Sequence, residues 1–200
     1  MFDSVIINSM QKAKSLAHSA EHPHKWSKPL VGIIKCNVDA ASFNNDSIKG
    51  YGMCFRDSSE LFMFGKSDYY YSSTTILEAE TIGLLEAIKV ALSNGMHVVW
   101  FETDCKAISD ALATTNIPQN EFGDLIFQCK SLLINRTDFV VLHIRRQTNK
   151  VAHNISRASF SNSSPHIFYI VPTTFYPLIL NEIYGLTLPL LKKKREYLLC

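Results

Sequence analysis

Three carboxylates in this 200-residue chain occupy positions where a negative charge needs a partner. Asp39 stands on the polar face of a predicted strand, at its end, Glu80 lies within a predicted helix, and Asp104 ends an apolar run. Ligand sites in such sheets gather at the carboxyl ends of strands. If the helix packs back over two neighbouring strands, all three carboxylates converge at one end of the sheet. Clustered anions repel, and hard cations such as Mg²⁺ or Mn²⁺ neutralise them.

Each carboxylate also has an ordinary structural interpretation. Asp104 could cap the following helix, Asp39 could be a turn residue, and Glu80 could lie at the edge of the core. Glu80 is the hardest to explain in this way, because at about 100° per residue it falls inside the apolar arc of its helix. Burying such a carboxylate is costly unless it is paired, protonated or bound to a metal. A shared metal site predicts that the three carboxylates lie within roughly 10 Å of one another, since paired ions sit about 4 Å apart.

The elements that must position these carboxylates follow from the spacing of apolar residues. Ile34, Cys36 and Val38 alternate with polar residues, which predicts a strand with one buried face. The other predicted elements are a hairpin over 49–57 and 60–68, helices over 74–94, 105–115, about 119–134 and about 149–160, and strands over 97–104 and 139–146. The run over 97–104 is typical of a strand buried on both faces. The order βββαβααβα predicts an α/β fold with a mixed five-stranded sheet and helices on its faces.

Composition narrows the class of protein. The chain has 20 Lys and Arg against 18 Asp and Glu, a net charge of +2, which excludes indiscriminate polybasic binding. The charge is unevenly distributed. Residues 35–138 hold eight basic and fourteen acidic residues, a net charge of −6, whereas residues 139–181 hold four basic residues and no acid. Five widely spaced cysteines without a C-x-x-C motif favour a reducing compartment over a disulfide framework or a thiolate zinc site.

The two ends of the chain lack such periodicity, so we expect three segments: a linker or extension over 1–29, a domain over 30–162 and an apolar tail over 163–200. The histidines at 18, 22 and 24 are more typical of a solvated stretch than of a metal site. The first residues do not have the layout of a signal peptide, and prolines and polar residues interrupt the tail too often for a membrane anchor. We therefore expect an intracellular location, in the nucleus or the cytoplasm. The basic run 192–195 resembles a nuclear-import signal but is too short to decide between the two.

Four motifs, NVDAAS, LEAETIGLLEAI, ETDCKAI and NKVAHNISRAS, occur in an order and spacing that resemble the ribonuclease H fold. More narrowly, they resemble the reverse-transcriptase-like ribonuclease H domain of plant genomes, which is related to non-LTR retroelements. The similarity covers about residues 35–160. It implies metal ligands at Asp39, Glu80 and Asp104 and places the fourth acid of the family's site at His153. In family members that are enzymes, these residues hold two divalent ions, Mg²⁺ or Mn²⁺, for hydrolysis of the RNA strand of RNA–DNA hybrids.

Three departures from the family's pattern leave a second function open. His153 removes an anion and is expected to weaken Mg²⁺ binding. Ala40 replaces the glycine that usually follows the first aspartate, and the longer histidine-bearing loop is absent, with His143 expected on the preceding strand instead. These departures favour a domesticated or decaying retroelement domain that binds nucleic acid or a protein partner with little catalysis. The intact carboxylates favour a metal-dependent endonuclease acting on RNA–DNA hybrids.

Four basic residues surround His153 in a region otherwise free of charge: Arg145, Arg146, Lys150 and Arg157. They predict a phosphate-binding patch beside the carboxylates, or else a solvated strand end and helix face. The expected partner is an RNA–DNA hybrid, recognised by its 2′-hydroxyls and backbone shape without base readout. The sequence leaves protein partners and the oligomeric state open.

Overall fold

The computed structural model describes residues 26–59, 62–161 and 165–184, which form a mixed sheet covered by helices on both faces. The strands are β1 (Ile34–Phe43), β2 (Ile48–Arg56), β3 (Phe62–Tyr71), β4 (Val99–Thr103), β5 (Phe139–His143) and β6 (His166–Phe168). The helices are α1 (Ile76–Ser93), α2 (Lys106–Leu112), α3 (Glu121–Leu133), α4 (Lys150–Ala158) and α5 (Tyr176–Tyr184). The predicted order βββαβααβα is therefore confirmed as far as α4, and so is the α/β class.

The sheet has the strand order β5-β4-β1-β2-β3-β6, one strand more than the predicted five. β4 runs parallel to β1 and β5, whereas β1, β2, β3 and β6 pair antiparallel in succession. The additional strand, β6, has three residues, which is too short for an alternating pattern to be visible in the sequence. It fits against β3 because Gly65 has no side chain: a Cβ there would lie 2.5 Å from the ring of Phe168.

β1 differs from its prediction in length and in burial. It continues to Phe43, so Asp39 lies within the strand and not at its end. The extension exists because β1 and β2 form a hairpin closed by Asn44, Asn45 and Asp46, which have positive φ, a conformation that Asn and Asp tolerate. The polar face of β1 is also buried, since α4 packs over it, and Asn37 and Asp39 are 0% and 3% exposed. The expectation of one buried face is therefore wrong.

Two apolar clusters hold the helices on the sheet. The larger one joins α1 and α3 to the strands, and Val38 and Phe101 lie in it. The smaller one joins α4, β6 and α5 through residues such as Ile155, Phe168 and Ile179. Residues 165–184 thus pack against the same sheet. The predicted domain limits of 30 and 162 stay a prediction.

Several features of the sequence analysis lie outside the described residues: the histidines at 18, 22 and 24, the basic run 192–195 and Cys200. Four cysteines that the structure describes are free thiols: Cys36, Cys54, Cys105 and Cys129. Within the described ranges, each helix is too short or too polar to cross a membrane.

Candidate metal centre

Asp39, Glu80 and Asp104 meet at one place in the fold, each offering a carboxylate oxygen within 4.8 Å of the other two. The parallel pairing of β1 with β4 ends at Val38 and Thr103. Asp39 follows Val38 and Asp104 follows Thr103, so the two aspartates lie side by side where the pairing of β1 with β4 stops. Glu80 reaches the same point from the second turn of α1. The separation is well inside the 10 Å limit expected for a shared metal site.

The ordinary interpretations of the two aspartates do not apply, and that of Glu80 leaves one of its oxygens unexplained. Asp39 is a strand residue, not a turn residue. The N-cap of α2 is Cys105, whose side chain makes no capping hydrogen bond, and Asp104 instead accepts a hydrogen bond from Asn149. Glu80 is partly buried, at the edge of the core, but its Oε2 is fully buried and has no hydrogen-bond partner, which an ordinary edge residue would not show.

α1 is fixed in position by its N-terminus and by a close approach to the sheet. Thr75 is the N-cap: its Oγ1 accepts a hydrogen bond from the Glu78 amide, and its own amide donates to the Glu78 carboxylate at 2.7 Å. Gly83 lies where a Cβ would be 3.1 Å from Tyr51 and 3.2 Å from Val38. The helix can therefore lie close enough to β1 for Glu80 to reach Asp39.

The carboxyl groups of Glu80 and Asp39 lie where ionisation is disfavoured. Burial raises the pKa of Glu80 well above its usual value, and the nearby charges of Asp39 and Asp104 raise it further. Burial is also the main cause that raises the pKa of Asp39, with Asp104 adding to it. A buried polar atom without a partner needs an explanation, and Glu80 Oε2 among three carboxylates fits a cation ligand. The donors are all oxygens, which suits Mg²⁺ or Mn²⁺.

His153 lies beside the carboxylates, on α4. Its Nδ1 is 3.1 Å from Asp39 Oδ2, and its side chain is 27% exposed. The three ligand oxygens that group within 4.8 Å come from the acids, so the structure brings His153 to Asp39 and not into that group. A role for His153 as the fourth ligand stays a prediction.

Two residues that the sequence analysis missed orient the aspartates. Ser156 Oγ donates to Asp39 Oδ2 at 2.6 Å, and Asn149 Nδ2 donates to Asp104 Oδ1 at 2.8 Å. Ser156 and His153 both contact Oδ2 of Asp39. Both residues flank His153 on or next to α4, a weak signal that could have drawn attention to them. Their targets, however, are 117 and 45 residues away in the sequence.

The predicted basic patch is only partly assembled at this site. Arg146 and Lys150 line a cavity of about 270 Å³ together with Gln147 and His153. The charge of Arg146 also acts on Glu80, where it opposes the rise in pKa. Arg145 and Arg157 are exposed but do not line this cavity. His143 is the exposed last residue of β5, on the strand as predicted.

The amino-acid sequence is similar to those of known proteins. A family model described as reverse transcriptase-like matches residues 37–159. An Arabidopsis thaliana protein whose name describes it as a ribonuclease H protein is 26% identical over 165 residues, covering 82% of this chain and 26% of that protein. The chain therefore spans about a quarter of the length of this curated relative.

Solved structures resemble the chain in fold. Ribonuclease H1 from the halophilic archaeon Halobacterium salinarum superposes with a TM-score of 0.60 at 17% identity, covering 66% of this chain and 99% of the archaeal one. LC11 ribonuclease H1, solved in complex with an RNA/DNA hybrid, gives a TM-score of 0.57 at 18% identity, with coverages of 64% and 96%. Both structures show that the chain has a ribonuclease H-like fold.

Proposed function

The chain belongs to the reverse transcriptase-like family, with a ribonuclease H-like domain, and we propose from this premise that it is a divalent-metal-dependent ribonuclease that hydrolyses the RNA strand of RNA–DNA hybrids. The observation that carries the proposal is the meeting of Asp39, Glu80 and Asp104 within 4.8 Å, with a buried, unpartnered oxygen on Glu80. Such a site can hold two Mg²⁺ or Mn²⁺ ions.

The residues of the site divide into ligands and orienting groups. Asp39, Glu80 and Asp104 supply the oxygen ligands, and His153 is the candidate for the fourth position. The chemistry that a pair of divalent ions supplies in such a site is activation of a water molecule and stabilisation of the leaving oxygen. Ser156 and Asn149 restrict the rotation of the two aspartates, so that the ligand oxygens are held in place before an ion binds.

The proposed substrate is an RNA–DNA hybrid, with nucleic acid the expected partner. LC11 ribonuclease H1, which shares the fold, was solved with such a hybrid. Arg146 and Lys150 line the cavity beside the carboxylates, where a phosphate adjacent to the cleaved bond would be held. Selectivity for a hybrid would come from contacts with the 2′-hydroxyls of one strand.

The experiment that tests this proposal is cleavage of an end-labelled RNA–DNA hybrid, with Mg²⁺, with Mn²⁺ and with EDTA. We expect cleavage of the RNA strand with either metal, none with EDTA, and none of the DNA strand. Salt-sensitive hybrid binding without cleavage would contradict the ribonuclease proposal and support the alternative, a domesticated retroelement domain with little catalysis.

Arg146→Ala is expected to weaken hybrid binding and to reduce the dependence of affinity on salt. Loss of one phosphate contact lowers the slope of log K against log salt concentration by about 1. The measurement is fluorescence anisotropy over a salt series. Lys89→Ala is the control, because it removes the same charge from a half-exposed residue of α1 paired with Glu86. An unchanged slope in Arg146→Ala would remove Arg146 from the interface.

His153→Asp tests the fourth ligand position. If His153 occupies it, a carboxylate there binds Mg²⁺ better than imidazole, and the Mg²⁺ concentration for half-maximal cleavage falls by roughly 10-fold. His153→Asn is the matched control, since asparagine has the size of aspartate without its charge. Equal Mg²⁺ dependence in the two variants would show that position 153 does not contact the metal.

A further inference from the structure

A buried arginine connects the C-terminal helix to the polar face of the sheet. Arg56, at the end of β2, is 0% exposed, and its Nη1 donates to Glu182 Oε2 at 2.7 Å. Glu182 comes from α5, and the guanidinium carbon of Arg56 lies 3.6 Å from the centroid of the Trp26 ring. A buried guanidinium is tolerated only when an anion and hydrogen-bond acceptors surround it. Glu182 is that anion, so α5 fixes the position of Arg56.

The other end of the same guanidinium begins a chain of hydrogen bonds that ends at the metal centre. Arg56 Nη2 donates to Asn37 Oδ1 at 2.6 Å, and Asn37 Nδ2 donates to Asn149 Oδ1 at 3.2 Å. Asn149 Nδ2 then donates to Asp104 Oδ1 at 2.8 Å. The connection from α5 to a proposed metal ligand therefore has four links, and every one is a direct contact between side chains.

This chain has a single possible direction. Asn149 Nδ2 also donates to the Val38 carbonyl at 2.9 Å, so a flipped amide would set its oxygen against two acceptors. A flipped Asn37 would likewise turn its NH₂ group toward the Arg56 guanidinium. From Arg56 to Asp104, each bond is thus donated away from the cation and toward the carboxylate, and Asn37 Nδ2 makes a second bond to Glu102 Oε2 at 2.9 Å. In a low-dielectric interior, successive hydrogen bonds in such a chain polarise and strengthen one another.

Glu182 acts on the centre by a second contact as well. Its Oε1 accepts a hydrogen bond from the amide of Val151 at 3.3 Å, in the first turn of α4. α4 carries Ser156 and His153, which both contact Asp39. One carboxylate of α5 therefore holds the arginine that leads to Asp104 and the helix that leads to Asp39.

From these contacts we infer that Glu182 is a positioning residue of the metal centre, acting through Arg56, Asn37 and Asn149 on Asp104. Glu182 and Trp26 both lie outside residues 37–159, the part that the family model matches. The flanking segments thus complete the centre in this chain. The inference rests on the proposed function, because it takes the three carboxylates to be metal ligands.

The test is Mn²⁺ affinity, measured by isothermal titration calorimetry on the full chain without nucleic acid. We expect Glu182→Ala to raise the Mn²⁺ dissociation constant about 10-fold and Asn149→Ala to raise it by 10-fold or more, as for other groups that orient metal ligands. Ile179→Ala is the matched control, because Ile179 is a buried α5 residue outside the hydrogen-bond chain. It is expected to lower the melting temperature and leave the dissociation constant unchanged.

A double-mutant cycle distinguishes positioning from general loosening of the fold. If the chain carries the effect, Glu182→Ala weakens Mn²⁺ binding clearly less in the Asn149→Ala background than in the wild type, and the contact of Glu182 with α4 accounts for what remains. Additive losses, or a Glu182→Ala affinity equal to that of Ile179→Ala, would overturn the inference. Should Glu182→Ala fail to fold, Glu182→Gln replaces it in the cycle, since it removes the negative charge that pairs with Arg56 and keeps the size of the side chain, and the same outcomes apply. A wild-type chain that binds no Mn²⁺ would instead overturn the proposed metal centre itself.

Discussion

Asp104→Asn is expected to lower the rate of RNA-strand cleavage by on the order of 1,000-fold, equivalent to about 4 kcal/mol of transition-state stabilisation. The substitution keeps the size of the side chain and an oxygen that can accept from Asn149, but it removes the charge of a ligand. Asp104 is not the N-cap of α2, so the substitution removes no capping group and the local fold has little reason to change. Single-turnover cleavage of a labelled hybrid at saturating Mg²⁺ is the measurement.

The control for this prediction is Asp124→Asn, which makes the same chemical change at an exposed residue of α3. It is expected to cleave at the wild-type rate. Cleavage that survives Asp104→Asn would mean that the activity comes from a contaminant or from another site, and the proposed assignment of the three carboxylates would be wrong.

Glu80→Gln is expected to have opposite effects on metal binding and on stability. The folded protein raises the pKa of Glu80, chiefly by burial and then by the charges of Asp39 and Asp104. The native state therefore binds this proton more tightly than the unfolded chain does. The resulting stability is present below the unfolded pKa of about 4.3 and is lost as the pH rises through the folded pKa. At pH 8, without metal, an ionised Glu80 destabilises the protein.

Glutamine removes this charge at every pH. We expect metal-free Glu80→Gln to melt higher than the wild type at pH 8, with each kcal/mol corresponding to about 2–4 °C, and the difference to shrink toward pH 4. Added Mn²⁺ should stabilise the wild type but not the variant, because the variant lacks a ligand. Thermal melts at several pH values, in EDTA and in Mn²⁺, measure both effects.

Glu121→Gln, at an exposed position of α3, serves as the comparison for Glu80→Gln. Its melting temperature is expected to stay close to that of the wild type at each pH. A metal-free Glu80→Gln protein that melts lower than the wild type at pH 8 would contradict the prediction. That result would mean that the Glu80 carboxylate is stabilised in the native state by a partner other than a metal ion.

The positions of the three carboxylates illustrate how far local pattern reaches. Helical periodicity placed Glu80 on a core-facing arc, and the apolar run before Asp104 predicted a strand buried on both faces, as β4 is. The prediction for β1 was less complete. Alternation separated the face of Val38 from that of Asp39, but it could not show that the polar face is covered, because polar residues on a buried face and on a solvated face look alike.

The residues that hold the carboxylates in place could not be predicted from the sequence, for a related reason. Ser156 and Asp39 are 117 residues apart, and Arg56 and Glu182 are 126 apart. Serine and asparagine are common at helix ends and surfaces, so neither residue type signals a buried contact by itself. The sequence around α5 also does not show that this helix packs on the sheet. Its contact with the sheet depends on Arg56, which lies 126 residues away from Glu182.

The sequence by itself thus determined the order of elements through α4, the fold class and the candidate carboxylates, because each depends on local periodicity and spacing. The tertiary structure alone decided the sixth strand, the burial of both faces of β1 and the partners of each carboxylate. It also placed His153 against Asp39 and Glu182 against Arg56. These features depend on which distant segments pack together. A buried charge needs a partner, and the partner comes from a segment far away in the sequence, so local patterns do not identify it.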